Sequence, residues 1–158
     1  MADPAGRLRL LVLCVALAPA GFGCGISTYQ VRFVPDGAEL KSQPSIQVYV
    51  YFAAAQDVER CLKLEAKELF DRGGDFERDL VAQRLHSTVV SAAGAEPIHA
   101  DRLPGPVVKV FLWGRFAGKT REGADRLVVE PDRFLSSWLS THGVLEVPVH
   151  PTGFGTPR

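Results

Sequence analysis

The segment 46–52, IQVYVYF, constrains the fold of this chain more than any other. Successive side chains of an extended chain point to opposite faces, so one face of this segment is apolar and the other carries Gln47, Tyr49 and Tyr51. Strict alternation of this kind predicts a β-strand. Because the second face is largely aromatic, the pattern indicates either a sheet that is covered on both sides or a strand with an aromatic contact surface.

Further segments have the length and the apolar pattern of strands. They are residues 29–34, 85–92, 107–113, 126–130 and 144–149. The segment 107–113 is apolar on both faces apart from Lys109, which predicts a central strand, whereas Pro148 predicts that 144–149 lies at the edge of a sheet. Three prolines predict a loop over 94–106, and the tail 151–158 is expected to be loosely held.

Residues 57–72 have a mixed pattern. The spacing of Val58, Cys61 and Leu69 is helical, but 62–66 also alternates, so we predict a helix only over 67–72 and keep a preceding strand open. Six or so short strands with little helix, and without a strand–helix–strand rhythm, predict a mainly β fold. The expected architecture is a two-sheet antiparallel β-sandwich with a short helical excursion.

The length and the charge of the chain limit its class. The 158 residues suit one domain once a targeting segment is removed. The 18 basic side chains balance the 18 acidic ones, so the formal net charge is zero. A balanced charge gives no general attraction to nucleic acid, and we expect no nucleic-acid partner.

The N-terminus has the pattern of a signal peptide. Arg7 and Arg9 precede an apolar run over 10–20. As a helix, these eleven residues rise only about 16 Å, roughly half of the hydrocarbon thickness of a bilayer, so we do not expect a transmembrane helix. A basic start, a short apolar core and small residues before a cleavage point are typical of a secretory signal.

The sequence GFGC over 21–24 resembles a bacterial lipobox, in which signal peptidase II cleaves before a diacylated cysteine. Cys14 is the rival, but it lies inside the apolar core of the signal. The resemblance implies a signal peptide over 1–23 and a single mature domain over 24–158 that is lipidated at Cys24, with ordinary secretory cleavage near residue 23 as the alternative. The residue after Cys24 is glycine and not the aspartate of a retention signal, so we expect the lipid anchor in the outer membrane.

No arrangement of side chains predicts catalysis, a cofactor or a metal. The four histidines lack metal-ligand spacing, the serines lack a G-x-S-x-G elbow, and the acidic residues over 71–79 are interleaved with arginines. Tyr49, Tyr51 and Trp113 offer either an aromatic ligand surface or core packing, of which we favour the second. Cys61 is the only cysteine after Cys24, so we expect no intrachain disulfide and a buried, unreactive thiol.

Three segments resemble the TssJ lipoproteins of type VI secretion systems. SIQVYVYFAAAQ over 45–56 resembles the family's second strand, and ELFD over 68–71 resembles the close of the polar stretch behind it. VVKVFLW over 107–113, with Phe116, is similar to a later strand of the family. Together with the lipidated N-terminus, the resemblance implies an outer-membrane lipoprotein that faces the periplasm and has no enzymatic activity.

The resemblance also implies a partner. TssJ proteins grip the periplasmic domain of the inner-membrane component TssM through loops at one end of the sandwich, and so tether an envelope-spanning complex. The corresponding loop lies at 35–43, where Asp36, Glu39 and Lys41 are the expected partner-binding residues. The alternative is a general periplasmic lipoprotein that binds a small ligand or another envelope protein.

Overall fold

Eight strands in two sheets make up just under half of the residues that the structure describes. The structure is a computed structural model, and it describes residues 27–36, 40, 44–71, 80–117, 123–134 and 142–158. The strands are β1 Thr28–Pro35, β2 Ile46–Ala53, β3 Leu85–Val90, β4 Ile98–Asp101, β5 Lys109–Arg115, β6 Arg126–Val129, β7 His142–His150 and β8 Gly153–Phe154. The helices are α1 Val58–Lys63 and α2 Ala66–Asp71, and 3₁₀ turns span Ala55–Asp57, Ala82–Arg84 and Pro131–Arg133.

The two sheets pack against each other as a sandwich. One has the strand order β4-β1-β7-β8 and the other the order β3-β2-β5-β6. The predicted mainly β, two-sheet fold with a helical excursion is confirmed. The expected antiparallel pairing holds for the other strand pairs but not for β1 and β7, which run parallel from Thr28 opposite His142 to Pro35 opposite Val149. A parallel pair is possible here because a long stretch of chain separates these two strands, and no tight turn has to join them.

The core between the sheets consists of the inward faces that the alternation predicts. Alternate residues of β1, β2 and β7 are buried there with residues of β5: Val31, Phe33, Ile46, Val48, Val50, Phe52, Val110, Leu112, Leu145, Val147 and Val149. A fully buried aliphatic or aromatic side chain of this size contributes about 1.5–3 kcal/mol relative to an exposed one. The period of two along each strand therefore fixes which face turns inward.

Helices α1 and α2 cover the outer face of the second sheet. Tyr51, Phe111 and Trp113 belong to a second apolar cluster, in which they pack with Cys61 and Leu69 of the helices. The Phe111 and Trp113 rings stack with their centroids 5.6 Å apart. The sheet is thus covered on both sides, which confirms one of the two interpretations of the segment 46–52.

The helical excursion begins earlier than predicted. Residues 58–63 already form α1, so the strand alternative over 62–66 is wrong. The alternation there does not follow burial, because Leu62 is 46% exposed while Cys61, Ala66 and Leu69 are buried against the sheet. Cys61 lies on α1, and Ala66 and Leu69 lie on α2, so each helix turns its buried residues towards the aromatic face of the sheet.

Two predictions that were based on proline are wrong. Residues 98–101 form β4, because the prolines of the predicted loop flank this strand and do not interrupt it. Strand β7 lies between β1 and β8 and is not an edge. Pro148 lacks only a donor, and its carbonyl accepts a hydrogen bond of 2.8 Å from the Gly155 N–H.

The C-terminal tail is held against β7 and is not loose. Beyond the Gly155 contact, Glu146 and Arg158 exchange two backbone hydrogen bonds of 3.0 and 2.9 Å. The side chain of Phe154 packs against the inter-sheet core. The tail therefore extends the first sheet past β8.

Candidate functional site

Four connections begin at one end of the sandwich, which we call the loop end. They are residues 36–45, 91–97, 116–125 and 151–152. The strand registers place their starting points at this end, because Pro35 pairs with Val149, Ile46 with Val90 and Gln47 with Arg115. The predicted partner-binding loop is part of this end.

Asp36 is the predicted partner-binding residue that lies within the described residues, whereas Glu39 and Lys41 lie outside them. The Asp36 backbone N–H donates to the Val149 carbonyl at 2.9 Å, and the Asp36 carboxylate lies 3.2 Å from His150 Nδ1. The Asp36 side chain is 60% exposed. Because exposed ion pairs contribute little to stability, the main effect of this contact is to position a carboxylate on the surface of the loop end.

Leu40 anchors the connection between β1 and β2. It is 2% exposed and belongs to the core between the sheets. Burial of one leucine contributes about 1.5–3 kcal/mol, which ties the connection to the core near its midpoint. Leu40 was not among the predicted site residues, although a lone large apolar side chain in the polar segment 36–45 was a usable signal.

Aromatic rings hold the other side of the loop end. Phe116 and Phe154 meet edge to face with their centroids 5.2 Å apart. Gly114 makes room for this pair, since a Cβ atom there would collide with the Phe116 ring. The Phe154 N–H donates to the Ala124 carbonyl at 3.0 Å and ties β8 to the preceding connection. Anchors on both sides suit a preorganised binding surface.

The opposite end of the sandwich, which we call the N-terminal end, contains Ser27 and the connection 102–108 between β4 and β5. Ser27 is the first described residue, so the predicted signal peptide over 1–23 and Cys24 lie outside the described residues. The chain therefore enters the sandwich at the end that lies away from the predicted partner-binding loop.

Arg84 is a buried side chain that stabilises the N-terminal end through hydrogen bonds. Its side chain is buried, with 1% of the residue exposed. The guanidinium donates to the Phe52 carbonyl at 2.7 Å, to the Gly105 carbonyl at 3.3 Å and to the Pro104 carbonyl. One buried cation thus joins β2 to the connection 102–108. Nothing in the local sequence singled out this arginine.

Tyr49, Tyr51 and Trp113 pack in the core and do not form a surface for a ligand. Tyr51 and Trp113 are fully buried, and Tyr49 lies against Phe70 with ring centroids 5.3 Å apart. Tyr51 Oη donates to Asp57 Oδ2 at 2.9 Å. Burial, followed by this hydrogen bond, raises the pKa of Tyr51 to about 12. The favoured interpretation as core packing is confirmed.

Cys61 lies in the same cluster as these rings. It is 1% exposed, which confirms that the thiol is buried. Burial, with a smaller effect of the nearby Asp57 carboxylate, raises the pKa of the Cys61 thiol to about 12. Since the thiolate is the reactive form, this environment disfavours reaction.

His86 is a titratable group inside the sandwich. Its ring meets Phe52 edge to face at 5.6 Å, and its buried Nε2 has no hydrogen-bond partner within the described part of the chain. Burial lowers the pKa of His86, while a hydrogen bond with the Gln83 backbone and the charge of Asp101 oppose the shift. The neutral ring is therefore favoured in the folded protein.

Stability is expected to fall as the pH drops below about 6.5. A histidine with a lowered pKa binds fewer protons in the folded state than in the unfolded chain. The contribution of neutral His86 to the free energy of unfolding is therefore complete at pH values above the pKa of the unfolded state. It decreases by at most about 1.4 kcal/mol per pH unit as the pH falls towards the pKa of the folded state. Urea unfolding at about pH 7.5 and about pH 5.5 measures the loss, which should shrink in His86→Phe.

His99→Phe is the matched control, since His99 is exposed on β4 and its replacement leaves His86 in place. This variant should keep the pH dependence of the parent protein. Identical pH dependence in the parent protein and in His86→Phe would show that His86 does not cause it.

Within residues 27–36, 40, 44–71, 80–117, 123–134 and 142–158, no group of three or more His, Cys, Asp and Glu side chains is arranged to hold a metal ion. No helix in the same ranges has the length and the apolar character needed to cross a membrane. The features on which a function can be built are therefore the loop end, with its exposed Asp36, and the N-terminal end.

Several solved structures are similar to this chain in fold. A chain of a structure described as a type VI membrane complex matches with a TM-score of 0.61 and 15% identity, over 82% of this chain and 97% of that one. A chain of the structure described as the T6SS protein TssM C-terminal domain from EAEC matches with a TM-score of 0.60 and 14% identity, over 81% and 95%. The T6SS lipoprotein TssJ1 from Pseudomonas aeruginosa matches with a TM-score of 0.55 and 12% identity, over 84% and 96%. The chain has a TssJ-like fold.

The TssJ-like fold rests on the arrangement of strands and not on close sequence similarity. No protein-family model and no curated protein matches the chain. The segments 45–56 and 107–113, which carried the resemblance in the sequence, contain β2 and the greater part of β5, the two middle strands of one sheet. The resemblance is therefore confirmed at the level of fold.

Proposed function

We propose that this protein is an envelope lipoprotein of a type VI secretion system. In this proposal, residues 1–23 are a signal peptide that is removed, and acylated Cys24 anchors the mature chain 24–158 in the outer membrane. The sandwich faces the periplasm and acts by binding, without catalysis. The observation that carries the proposal is the TssJ-like fold over more than four-fifths of the chain. The lipobox pattern that ends at Cys24 supports the anchor.

We infer that the loop end binds a TssM-like inner-membrane component and so tethers an envelope-spanning complex. Chains with this fold occur in structures described as a type VI membrane complex and as a TssM C-terminal domain, which supports a partner of that kind. Asp36, Glu39 and Lys41 are the side chains that we assign to the contact. Charges of both signs beside a backbone that Leu40 anchors favour a specific interface.

Removal of these three charged side chains is expected to weaken partner binding. The triple variant Asp36→Ala, Glu39→Ala, Lys41→Ala should bind the periplasmic domain of the TssM-like component about tenfold more weakly or worse, because each lost polar contact costs about 0.5–1.5 kcal/mol. Leu40 stays in place, so the anchor of the connection is unchanged. Biolayer interferometry with the purified partner domain from the same organism measures the affinity.

The control is a pair of charges at the opposite end of the sandwich. Lys109 and Glu130 form an ion pair there, since Lys109 at the start of β5 lies opposite Ala53 at the end of β2. The double variant Lys109→Ala, Glu130→Ala should bind the partner as the parent protein does. If the triple variant of the loop keeps full affinity at an unchanged melting temperature, the loop is not the binding site and a general periplasmic binding protein is favoured.

A further inference from the structure

A cavity of about 660 Å³ lies at the N-terminal end. Its walls are largely apolar and include Tyr29, Leu103 and Val107. The exposed residues Asp101, Arg102 and Asp132 also line it and supply charges of both signs. This volume, with apolar walls and a few charged groups, is typical of a site for a small molecule or for part of a larger one.

Buried Arg84 does not line the cavity, but it places a positive charge directly behind its wall. Its guanidinium donates to the Gly105 carbonyl at 3.3 Å, and Gly105 lines the cavity. The hydrogen-bond partners of Arg84 are carbonyls, and in the part of the chain described here no carboxylate forms an ion pair with it. The charge of Arg84 acts on Tyr29, which lines the cavity. Burial raises the pKa of Tyr29, and the positive charge of Arg84 opposes this shift. A buried cation whose described hydrogen-bond partners are neutral carbonyls favours an anionic group nearby.

Chain length places the cavity close to the anchored cysteine of the proposed function. Ser27 lines the cavity and is three residues from Cys24. An extended chain spans at most about 3.6 Å per residue, so the Cα atoms of these two residues lie within about 11 Å of each other. The headgroup region of a leaflet is itself about 5–7 Å thick. With Cys24 acylated, the N-terminal end is within reach of the lipid headgroups.

We propose that the N-terminal end lies on the membrane leaflet and that its cavity takes the headgroup of a zwitterionic phospholipid of the phosphatidylethanolamine type. Arg102 and the underlying Arg84 attract the phosphate, and Asp101 and Asp132 attract the ammonium group. The apolar walls accommodate the glycerol and the first methylene groups. The inference rests on the lipid anchor of the proposed function. It also gives the protein an orientation on the membrane, because β1, which is about 23 Å long, then separates the loop end from the end that lies on the leaflet.

Lipid-borne quenching tests this contact. The acylated full chain is reconstituted in phosphatidylethanolamine vesicles in which some lipids carry a quencher on the headgroup, with a fluorophore attached through either Pro106→Cys or Thr152→Cys. Pro106 lines the cavity, and Thr152 is exposed at the loop end. Buried Cys61 does not compete for the label. We expect quenching that is several-fold stronger at position 106 than at position 152.

A second variant tests whether the headgroup enters the cavity. Leu103→Asp places a carboxylate in the apolar wall and should reduce the quenching at position 106 at least twofold. Val89→Asp is the control, since Val89 is 55% exposed on β3 and does not line the cavity. It should leave the quenching unchanged. Quenching at 106 that Leu103→Asp does not affect, or that inorganic phosphate abolishes, would overturn the assignment of the cavity to a phospholipid.

The outcomes separate this inference from the proposed function. Equal quenching at positions 106 and 152, in protein that floats with the vesicles, would overturn the inference and leave the anchored tether intact. Protein that does not float with the vesicles would show that the anchor itself is missing, so that the proposed function fails and the inference fails with it.

Discussion

Replacement of Arg84 by methionine is expected to lower the free energy of unfolding by about 2–4 kcal/mol. Methionine keeps an unbranched stem but has no donor, so the carbonyls of Phe52, Pro104 and Gly105 lose their common partner. The Phe52 carbonyl is the buried one of the three, and a buried carbonyl without a hydrogen bond costs about 1–3 kcal/mol, while the bonds to Pro104 and Gly105 are part-buried and add less. Urea denaturation measures the effect as a lower midpoint at an unchanged slope.

Arg84→Met also removes the free-energy cost of burying a charged guanidinium, and this effect by itself would stabilise the variant. Burial of a charge costs several kcal/mol, and replacement of a complete buried ion pair by apolar side chains is sometimes stabilising. The partners of Arg84, however, are backbone carbonyls, which stay in the structure when the side chain is removed. Removal of one partner from a buried polar contact leaves the other unsatisfied, so we expect a net loss of stability.

Arg126→Met is the matched control. Arg126 also donates to two backbone carbonyls, those of Leu62 at 2.8 Å and Leu64 at 3.3 Å. It is only half-buried, so water can replace the lost donors, and we expect a cost of about 1 kcal/mol or less. If Arg84→Met is no more destabilising than Arg126→Met, the buried guanidinium does not support the connection 102–108.

The sequence predicted the strands well because alternation is a local property. Segment 46–52 specified both of its faces, and the structure buries one between the sheets and the other beneath α1 and α2. Pairing is not local. No residue near Thr28 or His142 indicates that these two positions become neighbours in a parallel pair, since the match depends on the assembled sheet.

The effect of Pro148 on its strand and the burial of Arg84 could not be predicted from the sequence. Pro148 removes a donor, but its effect depends on the side of the strand on which the missing hydrogen bond falls, which only the assembled sheet reveals. Arg84 has the sequence context of a surface residue, and its burial follows from three carbonyls that distant segments supply. Leu40 differs, because its isolation among polar neighbours was visible in the sequence.

The position of Asp36 in the fold was predictable from the sequence, but its contacts were not. The resemblance placed Asp36 in the connection after the first strand, and the structure places it at the loop end, 3.2 Å from His150 Nδ1. The contact with His150 could not be predicted, because it joins β1 to a strand that is distant in sequence. The affinity that we propose for this surface would depend on the partner's own side chains, which the sequence of this chain does not contain.

Cys24→Ser is expected to transfer the protein from the membrane fraction to the soluble periplasmic fraction. Serine provides no thiol for the thioether bond to diacylglycerol, so the mature chain would lack its acyl groups. Each buried methylene contributes about 0.8 kcal/mol to membrane binding, and the loss of several acyl chains therefore removes far more free energy than any headgroup contact supplies. Fractionation followed by intact-mass measurement reports both the location and the acyl mass.

Cys14→Ser is the control for this variant, because Cys14 lies inside the predicted signal peptide and should leave the acyl mass and the membrane location unchanged. Parent protein whose intact mass shows no acyl groups, or Cys24→Ser protein that keeps them, would contradict the assignment of Cys24.

The Cys24→Ser variant also separates membrane anchoring from partner binding. The loop end lies at the far end of β1 from the anchored segment, so soluble Cys24→Ser protein should bind the TssM-like domain with unchanged affinity while no longer linking it to a membrane.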